Sequence, residues 1–433
     1  MTLLLVEDVV CPFCGCLCDD LQVVVEDGRI TNVRRACVYS LAKFLNYNRD
    51  RLARPLLRSA DGLQETDMHK AIEAAARILV EAKYPLLYGW SMTSSETQRL
   101  GVELAEELGG VIDNTSTVCH GPAIEAYHDI GKSTCTLGEV KNRADLIVYW
   151  GSNPLQSHMR HMSRYTLGSK GFFRKKRGER TVVVVDVRET YTARVADVFY
   201  KIEMNRDYEL LTALRMAVHE EEIEQESVAG VSNEEIEELA DLMMRAEFGI
   251  IFFGVGLTMS LGKSRNLDAA LSLVRDLNRR TKFLIMAMRG HYNVAGANEV
   301  FAWQTGYPFS VDLSKGYAQY NPGDTSAVDI LTRGDHDATL VVGSDPAASF
   351  PKDAVKGLAS RPLVAVDPHT TATSLLADVV IPSAVTGIEA SGTAYRMDSV
   401  PLEMKKIMEA PSLVLPDAEV LELLLHEVRR IRG

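Results

Sequence analysis

Short apolar runs punctuate this chain at strand length: Asp145–Trp150, Thr181–Val187, Ile250–Phe253 and Ala338–Val342. Between them, Thr97–Leu108 and Leu267–Arg279 carry apolar residues three and four apart, the period of a helix packed on one face. Strands alternating with helices predict α/β architecture with mostly parallel sheets.

The pattern also repeats. Gly151-Ser-Asn153-Pro154 follows one apolar run and Gly343-Ser-Asp345-Pro346 follows another. Further on, Asp186 leads to Thr190, Thr192, Ala196 and Asp197, and Asp367 leads at the same offsets to Thr371, Thr373, Ala377 and Asp378. Upstream, Leu86-Leu-Tyr-Gly89 and its Thr93 precede one helical run, and Gly254-Val-Gly256-Leu-Thr258 precedes the other. The chain therefore reads as a tandem duplication over about 84–202 and 248–381, each half doubly wound and built of strand–loop–helix units.

Ligands of such sheets bind beyond the carboxyl ends of the strands. Glycine turns opening helices suit phosphates, because backbone N–H groups and the helix dipole face the anion. Strand-ending Asp186 and Asp367 suit a ribose or a purine edge. The same residues also serve simply to shape turns. Neither half has a full G-x-G-x-x-G, so ordinary NAD binding is weakly supported. Two equivalent halves point to two nucleotide-like ligands about a pseudo-twofold axis.

Composition narrows the class. The 433 residues are 46% hydrophobic and carry a formal charge of −12, which fits a globular chain of several domains and argues against a nucleic-acid partner. No run approaches a membrane span and the N-terminus lacks a signal pattern, so a cytoplasmic protein is expected. The one basic run, Arg174-Lys-Lys-Arg177, reads as a solvated loop or a contact for phosphates or an acidic partner.

Five of the seven cysteines lie in the first forty residues. Cys11, Cys14, Cys18 and Cys37 read as C-x2-C-x3-C-x18-C, the form of a [4Fe–4S] ligand set, with structural zinc the competing reading. Cys16 blurs the register and is an alternative to Cys14 or Cys18. Elsewhere, Cys119-His120-Gly-Pro and Met288-Arg289-Gly-His follow the first strand–helix–strand unit of each half. Under the duplication, Cys119, His120 and Arg289 converge, with Cys119 a thiolate ligand or a nucleophile.

The cysteine loop, Thr117-Val-Cys119-His120-Gly-Pro, Arg289-Gly-His-Tyr-Asn-Val-Ala-Gly296 and Gly306-Tyr-Pro-Phe-Ser-Val-Asp312 resemble, over essentially the whole chain, the molybdopterin/tungstopterin oxidoreductases that include formate dehydrogenases. The resemblance is strongest to the catalytic B-subunit family of formylmethanofuran dehydrogenases of methanogenic archaea. It implies two pyranopterin (molybdopterin) guanine dinucleotides holding one tungsten or molybdenum, with Cys119 and an inorganic sulfide completing the metal's coordination. The duplication puts Asn153, Asp186 and Thr190 near one dinucleotide and Asp345, Asp367 and Thr371 near the other, with Gly254, Gly256 and Gly392 as further cofactor-binding positions.

The implied domains are a cluster segment over 1–55, one pterin domain from 56–135 with 320–433, a second over 136–245, and active-site loops within 246–319. Many relatives carry a Lys two residues after the fourth cluster cysteine. Tyr39 stands there instead, and Lys43 is the nearest substitute. No stretch is left for the C-terminal β-barrel of formate dehydrogenases, which implies a covering partner polypeptide.

The implied activity is reduction of CO2 to formate with low-potential electrons entering through the cluster. Arg289 would hold the substrate oxygens, and His120 would manage a proton or polarise the substrate. Implied partners are a metal-hydrolase subunit that joins formate to methanofuran, a β-barrel subunit, and polyferredoxin-type carriers. The rival readings are a stand-alone formate dehydrogenase and a non-catalytic, cluster-bearing scaffold.

Overall fold

The computed structural model describes residues 3–433. The chain forms two compact units, one from residues up to Val118 together with His291–Gly433, the other from Cys119–Gly290.

The first unit begins with an antiparallel sheet, β1 (Leu3–Val9), β2 (Leu21–Glu26) and β3 (Arg29–Arg34). The cysteine loop is the β1–β2 connection, closed by Cys11 N–H donating to Cys18 O (2.9 Å) and Leu17 N–H to Cys14 O (3.0 Å). Cys37 caps α1 (Val38–Leu45), its sulfur accepting from the Ser40 amide at 3.4 Å. The hairpin β4 (Leu56–Ser59) and β5 (Gly62–Glu65) follows, then α2 (Met68–Glu81), β6 (Pro85–Gly89), α3 (Ser95–Leu108) and β7 (Val111–Asn114). Helix α3 starts where Ser94 accepts the Thr97 amide and stops at Gly109, whose φ of 66° is left-handed.

The second unit runs through α4 (Gly121–Ile130), β8 (Leu146–Trp150), β9 (Thr181–Asp186), β10 (Val198–Lys201), α5 (Asp207–Val218), α6 (Asn233–Arg245), β11 (Phe248–Phe253), α7 (Ser264–Leu277) and β12 (Lys282–Ala287). Its five strands are all parallel, in the order β10-β9-β8-β11-β12. Strands β8 and β11 are buried at every position, as Val, Ile and Phe runs must be when helices cover both faces.

The chain then returns to the first unit through α8 (Val294–Thr305), β13 (Val311–Asp312), β14 (Gln319–Tyr320), β15 (Ala338–Val342), β16 (Leu363–Asp367), β17 (Val379–Pro382), the hairpin β18 (Gly392–Tyr395) and β19 (Pro401–Met404), and α9 (Asp417–Arg432). Its large sheet has the order β14-β13-β7-β6-β15-β16-β17-β4-β5. The five central strands are parallel. Among the described residues no sheet closes into a barrel, and no helix is long and apolar enough to cross a membrane.

Set side by side, the strand orders β7-β6-β15-β16-β17 and β12-β11-β8-β9-β10 match position for position. The helices match too: α9 packs on α2 and α3, and α5 packs on α6 and α7. Each sheet takes one flank from the 84–202 segment and the other from 248–381. Both glycine turns are sterically required. Gly151 (φ 53°) and Gly343 (φ 57°) are left-handed, and a Cβ on Gly151 would lie 2.7 Å from Leu257 N.

Candidate functional site

In the second unit the strand ends surround a cavity of about 410 Å³ whose wall includes Cys119, Asn153, Asp186, Thr190, Gly254 and Gly256. Cys119 and His120 immediately precede α4, and Arg289 follows β12. The charge of Arg289 acts on both Cys119 and His120. Burial pushes the Cys119 thiol up, and the guanidinium opposes that shift.

His120 Nε2 lies 3.2 Å from Met288 O. A carbonyl only accepts, so Nε2 carries the hydrogen and Nδ1 is a bare acceptor, buried and without a partner. Burial first, then Arg289, drives His120 down to about 3. It is a neutral ring across the physiological range rather than one that changes charge near pH 7.

Arg289 is 9% exposed, and its Nη1 has no partner. Its backbone is held by His158, whose Nε2 donates to Arg289 O at 2.7 Å and whose Nδ1 meets Ser157 Oγ at 2.8 Å. In the sequence His158 shows only as half of an isolated H-x-x-H, a spacing that carries no hint of this contact.

The repeated polar residues divide into two kinds. Asn153 Oδ1 accepts from Thr192 Oγ1 at 2.7 Å, and Asp345 Oδ1 accepts from Thr373 Oγ1 at 2.6 Å. Thr190 and Thr371 accept the amides of Ala193 and Ser374. These four tie the turns together. By contrast, Asp186 receives a long contact from the Arg188 amide (3.4 Å), and Asp367 receives the His369 amide (2.8 Å). Each strand-end acid keeps acceptor capacity for a ligand.

In the first unit a cavity of about 440 Å³ is walled by Lys43, Tyr292, Asp345, Asp367, His369 and Asp417. Thr371 stands off this wall, capping the short helix Ala372–Leu376. Gly392 also lies off it, packed so closely that a Cβ would reach 2.6 Å from Ser94 Cβ. Burial pushes Asp367 up to about 7, helped by Asp417 and Asp345. Lys43 sits over the Phe13 ring at 5.1 Å, inside the cysteine loop.

Burial and then the charges of Cys14, Cys18 and Cys37 hold the Cys11 thiol well above its ordinary value, against a hydrogen bond with Ser40. Among the described residues no three Cys, His or carboxylate groups converge as on a single ion. Cys11, Cys14, Cys18 and Cys37 do gather on one loop and the adjoining helix cap, near enough for the other three to raise the Cys11 thiol.

Residues 51–426 match the molybdopterin oxidoreductase family. The chain is 50% identical to the B subunit of the tungsten-containing formylmethanofuran dehydrogenase 2 of Methanocaldococcus jannaschii, covering 98% of this chain and 99% of that one. The chain belongs to the molybdopterin oxidoreductase family, in its formylmethanofuran dehydrogenase B-subunit branch.

The corresponding protein of Methanococcus maripaludis is 48% identical over the same span. Among solved structures, the formyltransferase/hydrolase complex (FhcABCD) of Methylorubrum extorquens, determined with methylofuran, shares the fold at a TM-score of 0.71 and 20% identity, covering 87% of this chain and 99% of that one. Acetylene hydratase of Pelobacter acetylenicus does so at 0.76 and 15% identity, covering 98% and 69%. This member of the molybdopterin oxidoreductases is thus an oxidoreductase subunit, with a strand-end cavity in each of its two units.

Proposed function

We propose that this subunit reduces CO2 to formate at a tungsten or molybdenum bis-pterin centre. The observation that carries the reading is Arg289, a buried guanidinium with an unpartnered donor beside Cys119 and His120. A permanent forked cation in a dry site matches the paired oxygens of CO2 and formate.

When bound, the metal–pterin group supplies the two-electron chemistry, with Cys119 as its protein ligand and inorganic sulfide as a further one. Arg289 orients the substrate oxygens and offsets the carboxylate charge that develops. His120 acts through its bare Nδ1 as a neutral hydrogen-bond acceptor at the substrate. His158 fixes the Arg289 backbone so that the guanidinium is aimed before substrate arrives. Asp186 and Asp367, with their glycine turns, hold one guanine dinucleotide in each unit, and the matching strand orders support a duplicated origin.

Cys11, Cys14, Cys18 and Cys37 would hold a [4Fe–4S] cluster, which would supply one-electron transfer to the site. Lys43, between the cysteine loop and the first-unit cavity, is the relay position. Formate then passes, in the cytoplasm, to a metal-hydrolase partner that condenses it with methanofuran, while a β-barrel subunit and polyferredoxin-type carriers complete the complex.

Metal and nucleotide analysis of the purified complex tests the assignment, and its refutation is the absence of tungsten, molybdenum and guanine nucleotide. Arg289→Ala should lower CO2 reduction about 10²–10³-fold with metal content unchanged. Arg289→Lys should not restore it, because an ammonium cannot make the planar paired contact. Full activity in Arg289→Ala would remove the residue from the chemistry.

A further inference from the structure

Two features of the second unit take no part in the site described above, and both lie in one loop. Phe172 and Phe173 are 74% and 58% exposed, within the segment Lys170-Gly-Phe-Phe-Arg-Lys-Lys-Arg-Gly-Glu-Arg180. That stretch carries six basic residues and one acid, in a chain whose formal charge is −12.

A flexible loop could fold such rings onto the protein surface, but this one is pinned. Gly171 N–H donates to Arg174 O at 2.9 Å and Phe172 N–H to Asn142 Oδ1 at 2.8 Å. The Phe173 and Arg174 amides donate to Asn142 O at 3.2 and 3.3 Å. Gly171 lies so close to Lys141 O that a Cβ has no room. Behind the turn Arg180, 2% exposed, donates to Arg174 O, Lys141 O and Ala144 O. The two rings meet edge to face at 5.0 Å, and the Arg143 guanidinium sits 5.1 Å from the Phe173 ring. The pair is a rigid, pre-formed knob, an anchor that loses little freedom on binding.

The basic residues sort into two sets. Arg174 pairs with Asp145 and Glu247, Arg177 pairs with Asp197 at 2.7 Å, and Arg180 is buried. Lys170, Lys175 and Lys176 are exposed and form no salt bridge among the described residues. With the forked arginines engaged inside the loop, a phosphate finds no bidentate grip there. Three unpaired ammonium groups around an apolar knob suit separate carboxylates instead. Asp145 and Glu247 immediately precede β8 and β11, so the loop sits at the amino ends of the strands, away from the cavity at Cys119.

We propose that this loop docks another polypeptide of the same assembly, one that presents carboxylates around an apolar pocket for the two rings. Phe172 and Phe173 are the anchor, and Lys170, Lys175 and Lys176 supply the complementary charge. A partner seated there leaves the strand-end cavity open, so this contact is separate from any that covers the cofactor. This rests on the reading that the chain works within a multisubunit complex.

The test treats the intact complex with a carbodiimide, which joins amines directly to carboxylates, and maps the products by mass spectrometry. Cross-links should run from Lys170, Lys175 or Lys176 to Asp or Glu residues of one partner polypeptide. Phe172→Ser with Phe173→Ser should weaken binding of that polypeptide about thirtyfold or more, the least that truncating a hot-spot anchor gives. Lys170→Glu with Lys175→Glu and Lys176→Glu should release it at lower salt than wild type does. All the replaced side chains are exposed, so both variants should fold, and an unchanged second-unit melting transition checks this.

Absent cross-links, with every polypeptide retained in both variants, would overturn the inference and leave the complex reading intact. Sedimentation of the intact complex with vesicles of phosphatidylcholine and phosphatidylglycerol, abolished in the aromatic variant, would overturn it in favour of an anionic membrane. A chain that purifies with no partner polypeptide would overturn the complex reading, and this docking loop with it.

Discussion

Arg51 and Glu389 form an ion pair inside the first unit, with side chains 8% and 2% exposed. Arg51 Nη2 lies 2.5 Å from Glu389 Oε2 and donates to Ser383 O at 2.8 Å, and Nη1 donates to Leu52 O at 3.0 Å and to Pro368 O. Glu389 Oε2 also accepts the Val385 amide at 2.9 Å. Replacing Glu389 with Gln keeps the shape and leaves the guanidinium buried without its counter-charge. Breaking a buried pair in this way costs about 3–5 kcal/mol.

At about 2–4 °C per kcal/mol for a unit of this size, the first-unit transition should fall by about 6–20 °C. Differential scanning calorimetry of the full chain measures it, with the second-unit transition as an internal reference that should not move. Replacing both partners together, Arg51→Met with Glu389→Leu, should recover most of the loss, because no stranded charge remains. A shift below about 2 °C for Glu389→Gln, or a double variant as unstable as the single one, would refute the account.

Cys37→Ala should abolish the reduced-cluster EPR signal, and an unchanged signal would return Cys16 to the ligand set. Gly151→Ala adds a Cβ that meets Leu257 N at 2.7 Å in a left-handed turn. Its expected cost is about 2–4 kcal/mol, read by urea unfolding, together with loss of second-unit nucleotide. Asp417 is pushed up to about 6 and Asp367 to about 7, by burial first in each. Their folded values exceed the unfolded ones, so their stabilisation is present below pH 4 and is lost as pH rises through 6 to 7. Melting of the nucleotide-free chain should therefore fall over that window, with a shallower decline in Asp417→Asn; an identical slope would count against it.

The strands were legible because Val, Ile and Phe runs of this length admit little else. Thr181–Val187 corresponds to the strand Thr181–Asp186, and the periodic run Leu267–Arg279 to the helix Ser264–Leu277. The Asp–Thr turns were legible because their contacts are local and keep their offsets. Lateral pairing was not: periodicity says that β6 is a strand, but nothing in it says that β15 rather than β8 lies beside it. The equivalence of α5 and α9 escaped for a related reason. The β18–β19 hairpin intervenes before α9 but has no counterpart before α5, so equivalent residues lose their common spacing. His158 was legible only as a histidine, since its hold on Arg289 spans 131 residues.

The exchange of strands between the sheets sets a timetable for synthesis. Cys119–Gly290 is one continuous stretch and holds all five strands of its sheet, so it can close as soon as it leaves the ribosome. Strand β6 must wait for β15, from Gly89 until Ala338 emerges. At 5–20 residues per second this is about 10–50 s. Throughout that interval β6 and β7 present an unpaired apolar edge, the kind of surface that recruits other chains. A host translating faster than its chaperones can shield that edge should yield aggregates whose second unit is already protease-resistant, while the N-terminal segment remains open to cleavage.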